Sequence, residues 1–126
     1  MEIVRAAIAA FNRRDLEGWD KLSHPDAEVD WSESRGLEAG IYRGRAETHG
    51  FMQTFEIFER VVIGADQLID AGDAVVVRNT SRFTGREGIE TIARSAFVYE
   101  LRGGRIARIR LYQDLAEALE AVGLAE

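Results

Sequence analysis

The residues best equipped for chemistry cluster in residues 94–114, RSAFVYELRGGRIARIRLYQD, which end on a phenol and a carboxylate, Tyr112 and Asp114. Residues i and i+2 of an unbulged strand share a face, so the two side chains can work together. Asp114 could abstract a proton α to a carbonyl or activate water if burial raised its pKa toward neutrality. Tyr112 could then donate to the developing oxyanion. His49 is a third candidate, because an imidazole titrates closest to neutral pH. Each has a plainer role. Asp114 precedes Leu115 and could cap a final helix by accepting from free N–H groups, and the two roles of Asp114 can coexist. Tyr112 could be a hydrogen-bonded wall residue, and His49 a surface or core histidine of its helix.

The arginines define a second chemistry. Alternation puts Arg78 and Arg82 on one strand face, and Arg108 and Arg110 on one face with Tyr112 and Asp114. Turned inward, they would make a cationic pocket for a carboxylate or phosphate, with Arg94 and Arg110 as the candidate anion contacts. Turned outward, they would pair with Asp and Glu across strands or across a dimer interface. Burying several arginines in a small core is costly, which favours the outward or rim placement. A β-bulge would change that parity. His24 and His49 lie on separate elements without metal-ligand spacing, and cysteine is absent, so neither a metal site nor a thiolate nucleophile is expected. No cofactor is expected either.

Composition sets the bounds. The chain has 126 residues, enough for one domain over 1–126 with a single core. Its formal net charge of −6 argues against nucleic acid as a partner. No apolar run approaches the length that spans a bilayer, and the N-terminus lacks the pattern of a signal peptide. A cytoplasmic protein is expected.

Periodicity positions these groups. Ile3, Val4, Ala7, Ile8 and Phe11 predict a helix over 2–13, and Asp15 is placed to cap a second carrying Leu16, Trp19 and Leu22. The single proline, Pro25, is expected to end that helix. Alternation predicts a strand over 27–32, followed by a polar loop over 33–40; the stretch 30–40, with Asp30, Glu33 and Glu38, could border a cavity mouth and gate entry or simply be a solvated connection. Phe51, Met52, Phe55 and Phe58 form the stripe of a third helix over about 45–59. Strands over 61–69 and 74–83 flank the turn Asp70-Ala71-Gly72-Asp73. Gly103-Gly104 predicts a tight hairpin, and Leu115, Ala118, Leu119 and Val122 predict a last short helix ending at Gly123. Helices first and antiparallel strands after give an α+β fold.

Several stretches in this order are shared with one family: Phe11-Asn12-x-x-Asp15-Leu16, His24-Pro25-Asp26-Ala27-Glu28-Val29, Tyr42-Arg43-Gly44, residues 70–77, Gly103-Gly104-Arg105-Ile106 and Tyr112-x-Asp114. On them the chain resembles the SnoaL-like branch of the NTF2-like superfamily. The resemblance implies a ketosteroid-isomerase-like cone: a curved antiparallel sheet packed against three helices of the N-terminal half, plus a short C-terminal helix. It also implies an apolar pocket in the cone, a small apolar molecule as partner, and a homodimer through the outer sheet face. Pocket walls are then expected from Phe11, Trp31, Phe51, Phe55, Phe97 and Tyr99. By the same comparison, the steroid-isomerase base falls on Trp31, its tyrosine on Ala7 and its second acid on Phe97, none of which can do that work. The cyclases and epoxide hydrolases of the superfamily use an aspartate at the place of Asp114, although the second aspartate of the hydrolase relay has no counterpart. The resemblance therefore implies small-molecule binding, with either acid–base isomerase, cyclase or lyase chemistry or a non-catalytic binding or structural role.

Overall fold

The structure, a computed structural model, describes residues 1–34 and 38–124. In chain order the elements are α1 (Glu2–Asn12), α2 (Leu16–Leu22), β1 (Ser23–Asp30), β2 (Ile41–Arg43), α3 (Gly44–Gln53), a 3₁₀ turn (Thr54–Ile57), β3 (Arg60–Asp70), β4 (Ala74–Thr84), β5 (Glu90–Arg102), β6 (Arg105–Tyr112) and α4 (Leu115–Ala121). Of the predicted loop over 33–40, residues 35–37 lie outside the described residues. No described helix is long and apolar enough to cross a membrane.

The Phe11-Asn12-x-x-Asp15 stretch sets the helical layer. Asn12 clamps α1 to β3, its amide nitrogen donating to the Ile63 carbonyl at 3.0 Å and its amide oxygen accepting from Ile63 N–H at 2.8 Å. Arg14 reverses the chain with φ of 59°, a left-handed conformation held while its guanidinium donates to the Phe58 carbonyl at 3.0 Å. Asp15 then caps α2 by accepting from Gly18 N–H at 2.9 Å. That backbone N–H holds the Asp15 carboxyl below its ordinary pKa.

Six strands form one sheet in the order β2-β1-β6-β5-β4-β3. Neighbours are antiparallel except β1 and β6, which run parallel, so the sheet is mixed where the sequence suggested an antiparallel one. A parallel partner comes from far along the chain and leaves no local turn signal. The first strand also begins at Ser23 rather than residue 27. Pro25 does not block it, because pairing with β6 is irregular between Ser23 and Glu28. Here His24 Nε2 lies 2.6 Å from the Arg102 carbonyl.

Gly103 and Gly104, at φ 60° and 78°, make the β5–β6 turn as their sequence predicts. A bulge follows: Leu101 pairs with Ile106 but Glu100 pairs with Arg108, leaving Ala107 as the extra residue. Ile106 and Ile109 therefore point to the same side, where they join Val4, Ala7, Trp19, Val75, Val77, Phe97, Tyr99 and Leu111 in the main core. The opposite side of the sheet carries a smaller core of Val76, Ala96, Val98 and Ala118, covered by α4.

Candidate functional site

Between the helices and the inner sheet face lies a cavity of about 260 Å³. Its wall is aromatic for a local reason. Phe51 on α3 and Phe55 in the 3₁₀ turn that continues it project toward the sheet about one turn apart, and on β5 the inward positions carry Phe97 and Tyr99. Trp31, just past β1, sits between the layers, its ring centroid 5.0 Å from that of Phe51 and 5.1 Å from that of Phe97. Phe55 meets Phe51 and Phe11 edge-on at 5.3 and 5.9 Å. These offset and edge contacts are the favourable geometries for aromatic pairs. The structure thus brings Phe11, Trp31, Phe51, Phe55, Phe97 and Tyr99 into one wall. Ala7 lines the same cavity, so all three positions compared with the steroid-isomerase catalysts face it as apolar groups.

The three residues singled out for catalysis do not meet there, and none lines the cavity. Asp114 is exposed and caps α4, accepting from Glu117 N–H at 2.9 Å; the plainer of its two expected roles is the one visible. Tyr112 lies on the outer face against α4, where burial raises its phenol pKa above the ordinary value. His49 faces sideways on α3, with Nε2 2.8 Å from Asp20 Oδ1 on α2. Phe51, two positions on, takes the inward side. The helical period separates the two.

The arginines are outward, as their cost of burial requires. Arg108 holds Glu100 through two hydrogen bonds, of 2.6 Å from Nε and 3.2 Å from a terminal nitrogen, and this contact raises its pKa. Glu28 lies 3.8 Å from Arg108 and 2.7 Å from Arg43 Nε, extending the ladder to β2. Arg110 Nε comes within 3.1 Å of Glu100 but off the hydrogen-bonding direction, and its guanidinium lies 5.5 Å from the centre of the Tyr112 ring. Arg110 is thus no part of the cavity, and its anionic contact is Glu100 of this chain. Arg94 does reach the cavity edge.

The sequence missed several polar groups that the cavity does contain. Trp19, Ser34, Ser81, Ser95 and Gln113 all line it, together with Glu38, which the sequence placed at a cavity mouth or in solvent. Among the described lining residues the ionisable side chains are Glu38, Arg94 and Tyr99. Glu38 accepts from the Ser34 hydroxyl at 2.6 Å. Burial pushes the Tyr99 phenol well above its ordinary pKa, so it keeps its proton and can donate. Ser81 and Ser95 flank Asn79, whose amide joins them. Alternation held the signal: if Arg78 and Arg82 face out, Asn79 and Ser81 must face in with Val75 and Val77. No three His, Asp or Glu side chains group as a metal site among the described residues.

Known structures share this architecture. TerC, crystallised with polyporic acid, is 26% identical, with 96% of this chain and 95% of that chain covered and a TM-score of 0.76. An NTF2-like protein of unknown function from Burkholderia pseudomallei is 27% identical, with coverage of 98% and 96% and a TM-score of 0.77. A Mycobacterium tuberculosis protein in complex with estradiol-17β-hemisuccinate is 17% identical over 90% of this chain and 92% of that chain, with a TM-score of 0.77, a likeness of fold alone. No curated protein sequence is significantly similar. Residues 4–109, which carry all the cavity-lining residues except Leu111 and Gln113 and leave out Asp114 and α4, match the family described as the SnoaL-like domain, and on that match the chain belongs to the SnoaL-like family.

Proposed function

We propose that this protein binds a small, largely apolar molecule in the cone cavity, and that it does so as a homodimer paired through the outer face of its sheet. The observation that carries the binding proposal is the cavity itself: about 260 Å³, walled mainly by aromatic and aliphatic side chains. Ligand sites are concave and mostly apolar with a few convergent polar groups. A volume near the lower end of their usual range suits a molecule of two or three rings. The ligand-bound crystal of TerC, similar over nearly the whole chain, supports the same reading. For pairing, the support is the half-buried Glu28–Arg108–Glu100–Arg110 ladder on the outer face, a patterned polar surface of the kind that fixes register between partners.

Anilinonaphthalene sulfonate, a fluorescent probe with an apolar ring system and one sulfonate group, tests the binding. One bound probe per chain by native mass spectrometry is expected, and no binding at all would overturn the proposal. Light scattering at micromolar concentration should give the dimer mass, and a monomer mass would remove the pairing.

Glu38 favours one second reading, acid–base turnover of an apolar carbonyl compound, because it is the carboxylate on the cavity wall. Deuterium exchange at the α-carbons of 2-tetralone, followed by proton NMR, would show catalysis abolished in Glu38→Gln. Exchange at the buffer rate in the unmodified protein would sink this reading.

A further inference from the structure

Two buried donors on the cavity wall have no partner among the described residues. Trp19 and Tyr99 are 3% and 4% exposed. Neither the Trp19 indole N–H nor the Tyr99 hydroxyl is hydrogen-bonded among the described residues. Arg110 Nε is the only fully enclosed side-chain polar atom among those residues that lacks a partner. The Trp19 and Tyr99 groups therefore keep open space beside them, and the cavity is the space both residues line. An indole N–H can only donate, and a neutral phenol donates readily, so both ask for an acceptor.

A second polar group stands farther along the sheet. Asn79 and Ser81 are 1% and 5% exposed. The Asn79 amide nitrogen donates to Ser81 Oγ at 3.0 Å, and its amide oxygen accepts from the Ser95 hydroxyl at 3.3 Å. In this chain of bonds Ser81 only accepts, which leaves its own proton free to donate. Turning the amide over would free the Ser95 proton instead, and Ser95 lines the same wall. In both arrangements one hydroxyl donor is left for the cavity.

The two groups lie at different ends. Asn79 pairs with Ser95 across β4 and β5, and Tyr99 is four residues farther along β5, about 13 Å of strand. Between them stands Phe97, backed by Trp31. We propose that the cavity holds two separate hydrogen-bond subsites, Trp19 with Tyr99 at one end and the Asn79–Ser81–Ser95 group at the other. The ligand they fit is an elongated, uncharged molecule with an apolar ring system and an acceptor oxygen, such as a ketone, at each end. The proposal rests on the binding reading above and gives it a ligand class. Among the described residues, an anionic oxygen at the Tyr99 end would be buried with no lining cation beside it, since Arg94 is exposed and next to Ser95.

The test uses a matched pair of compounds, 2,6-diacetylnaphthalene and 2,6-diisopropylnaphthalene. They have similar shape, but the second lacks both oxygens. Affinities are read from displacement of bound anilinonaphthalene sulfonate in the unmodified protein, Tyr99→Phe, Ser81→Ala and the double variant. Each single variant should weaken the diketone about 3- to 10-fold, one hydrogen bond's worth, and leave the hydrocarbon unchanged. In the double variant the two losses should multiply, because the groups share no partner. Equal effects on both compounds, or no effect on either, would overturn the subsites while leaving the cavity as a binding site. Loss in one variant only would overturn the two-ended ligand. If neither compound binds the unmodified protein although the probe does, the ligand class is wrong; if the probe does not bind either, the binding reading falls as well.

Discussion

The two faces of β6 have opposite chemistries made from one alternating sequence. Inward, Ile106, Ile109 and Leu111 join the core and the cavity wall. Outward, Arg108 and Arg110 pair with Glu100, and Tyr112 packs beside α4. The charged and phenolic groups of this strand, Arg108, Arg110 and Tyr112, are on the outer face, where they meet Glu100 or one another. The cavity holds mainly neutral polar groups, a phenol, an indole, three serines and a glutamine, set in apolar walls. Charge stays where water and partners can solvate it, and the enclosed space is left to groups that hydrogen-bond without ionising. Such an interior suits recognition of an apolar molecule.

Truncation on each face is the coarsest way to break this contrast. Phe97 is buried against Trp31 and Tyr99, so Phe97→Ala should cost about 3–5 kcal/mol by urea unfolding. Arg108→Ala, on the half-exposed ladder, should cost about 1 kcal/mol or less, and less still at high salt. Comparable losses would mean that the outer face is as integral to the fold as the core.

Alkaline unfolding sharpens the view of the inner face. The buried Tyr99 phenol keeps its proton to higher pH in the folded chain than in the unfolded one. Its contribution is therefore intact below the unfolded pKa of about 10 and is lost as pH rises beyond it toward the folded pKa. Part of the fall in stability above that pH should disappear in Tyr99→Phe, as monitored by circular dichroism. An unchanged alkaline profile would mean that the phenol is solvated.

Smaller again is the effect of Asp114→Ala, which removes the cap of α4. About 1 kcal/mol of stability should be lost, with affinity for anilinonaphthalene sulfonate unchanged.

Much of this contrast is legible in the chain, for reasons that differ by residue. The Gly103-Gly104 turn is local chemistry, so its φ values follow from composition. The outward arginines follow from the cost of burial, although the bulge at Ala107 that keeps Ile106 and Ile109 together inward is not visible in the alternation. The aromatic wall is legible because Phe51 and Phe55 share a helical face and Phe97 and Tyr99 a strand face. What alternation cannot show is the pairing of β1 with β6, which depends on contacts distant in sequence. It also leaves undecided whether Asp114 turns to a helix terminus or to a cavity, because spacing permits both. Trp19 reads only as a helix-face residue, and its open N–H emerges once β5 is packed opposite.

The central claim, that the inner cavity rather than the outer face takes the ligand, is tested most directly by one probe titration on three proteins. Ala93 is exposed and lines the cavity, so it stands at the mouth, and Ala93→Phe should narrow that mouth with little strain on the core. Anilinonaphthalene sulfonate should bind this variant at least about tenfold more weakly, a change of roughly 1.4 kcal/mol, while Asp114→Ala and Arg110→Ala bind it like the unmodified protein. Undiminished binding in Ala93→Phe, with loss in either outer-face variant, would contradict the account.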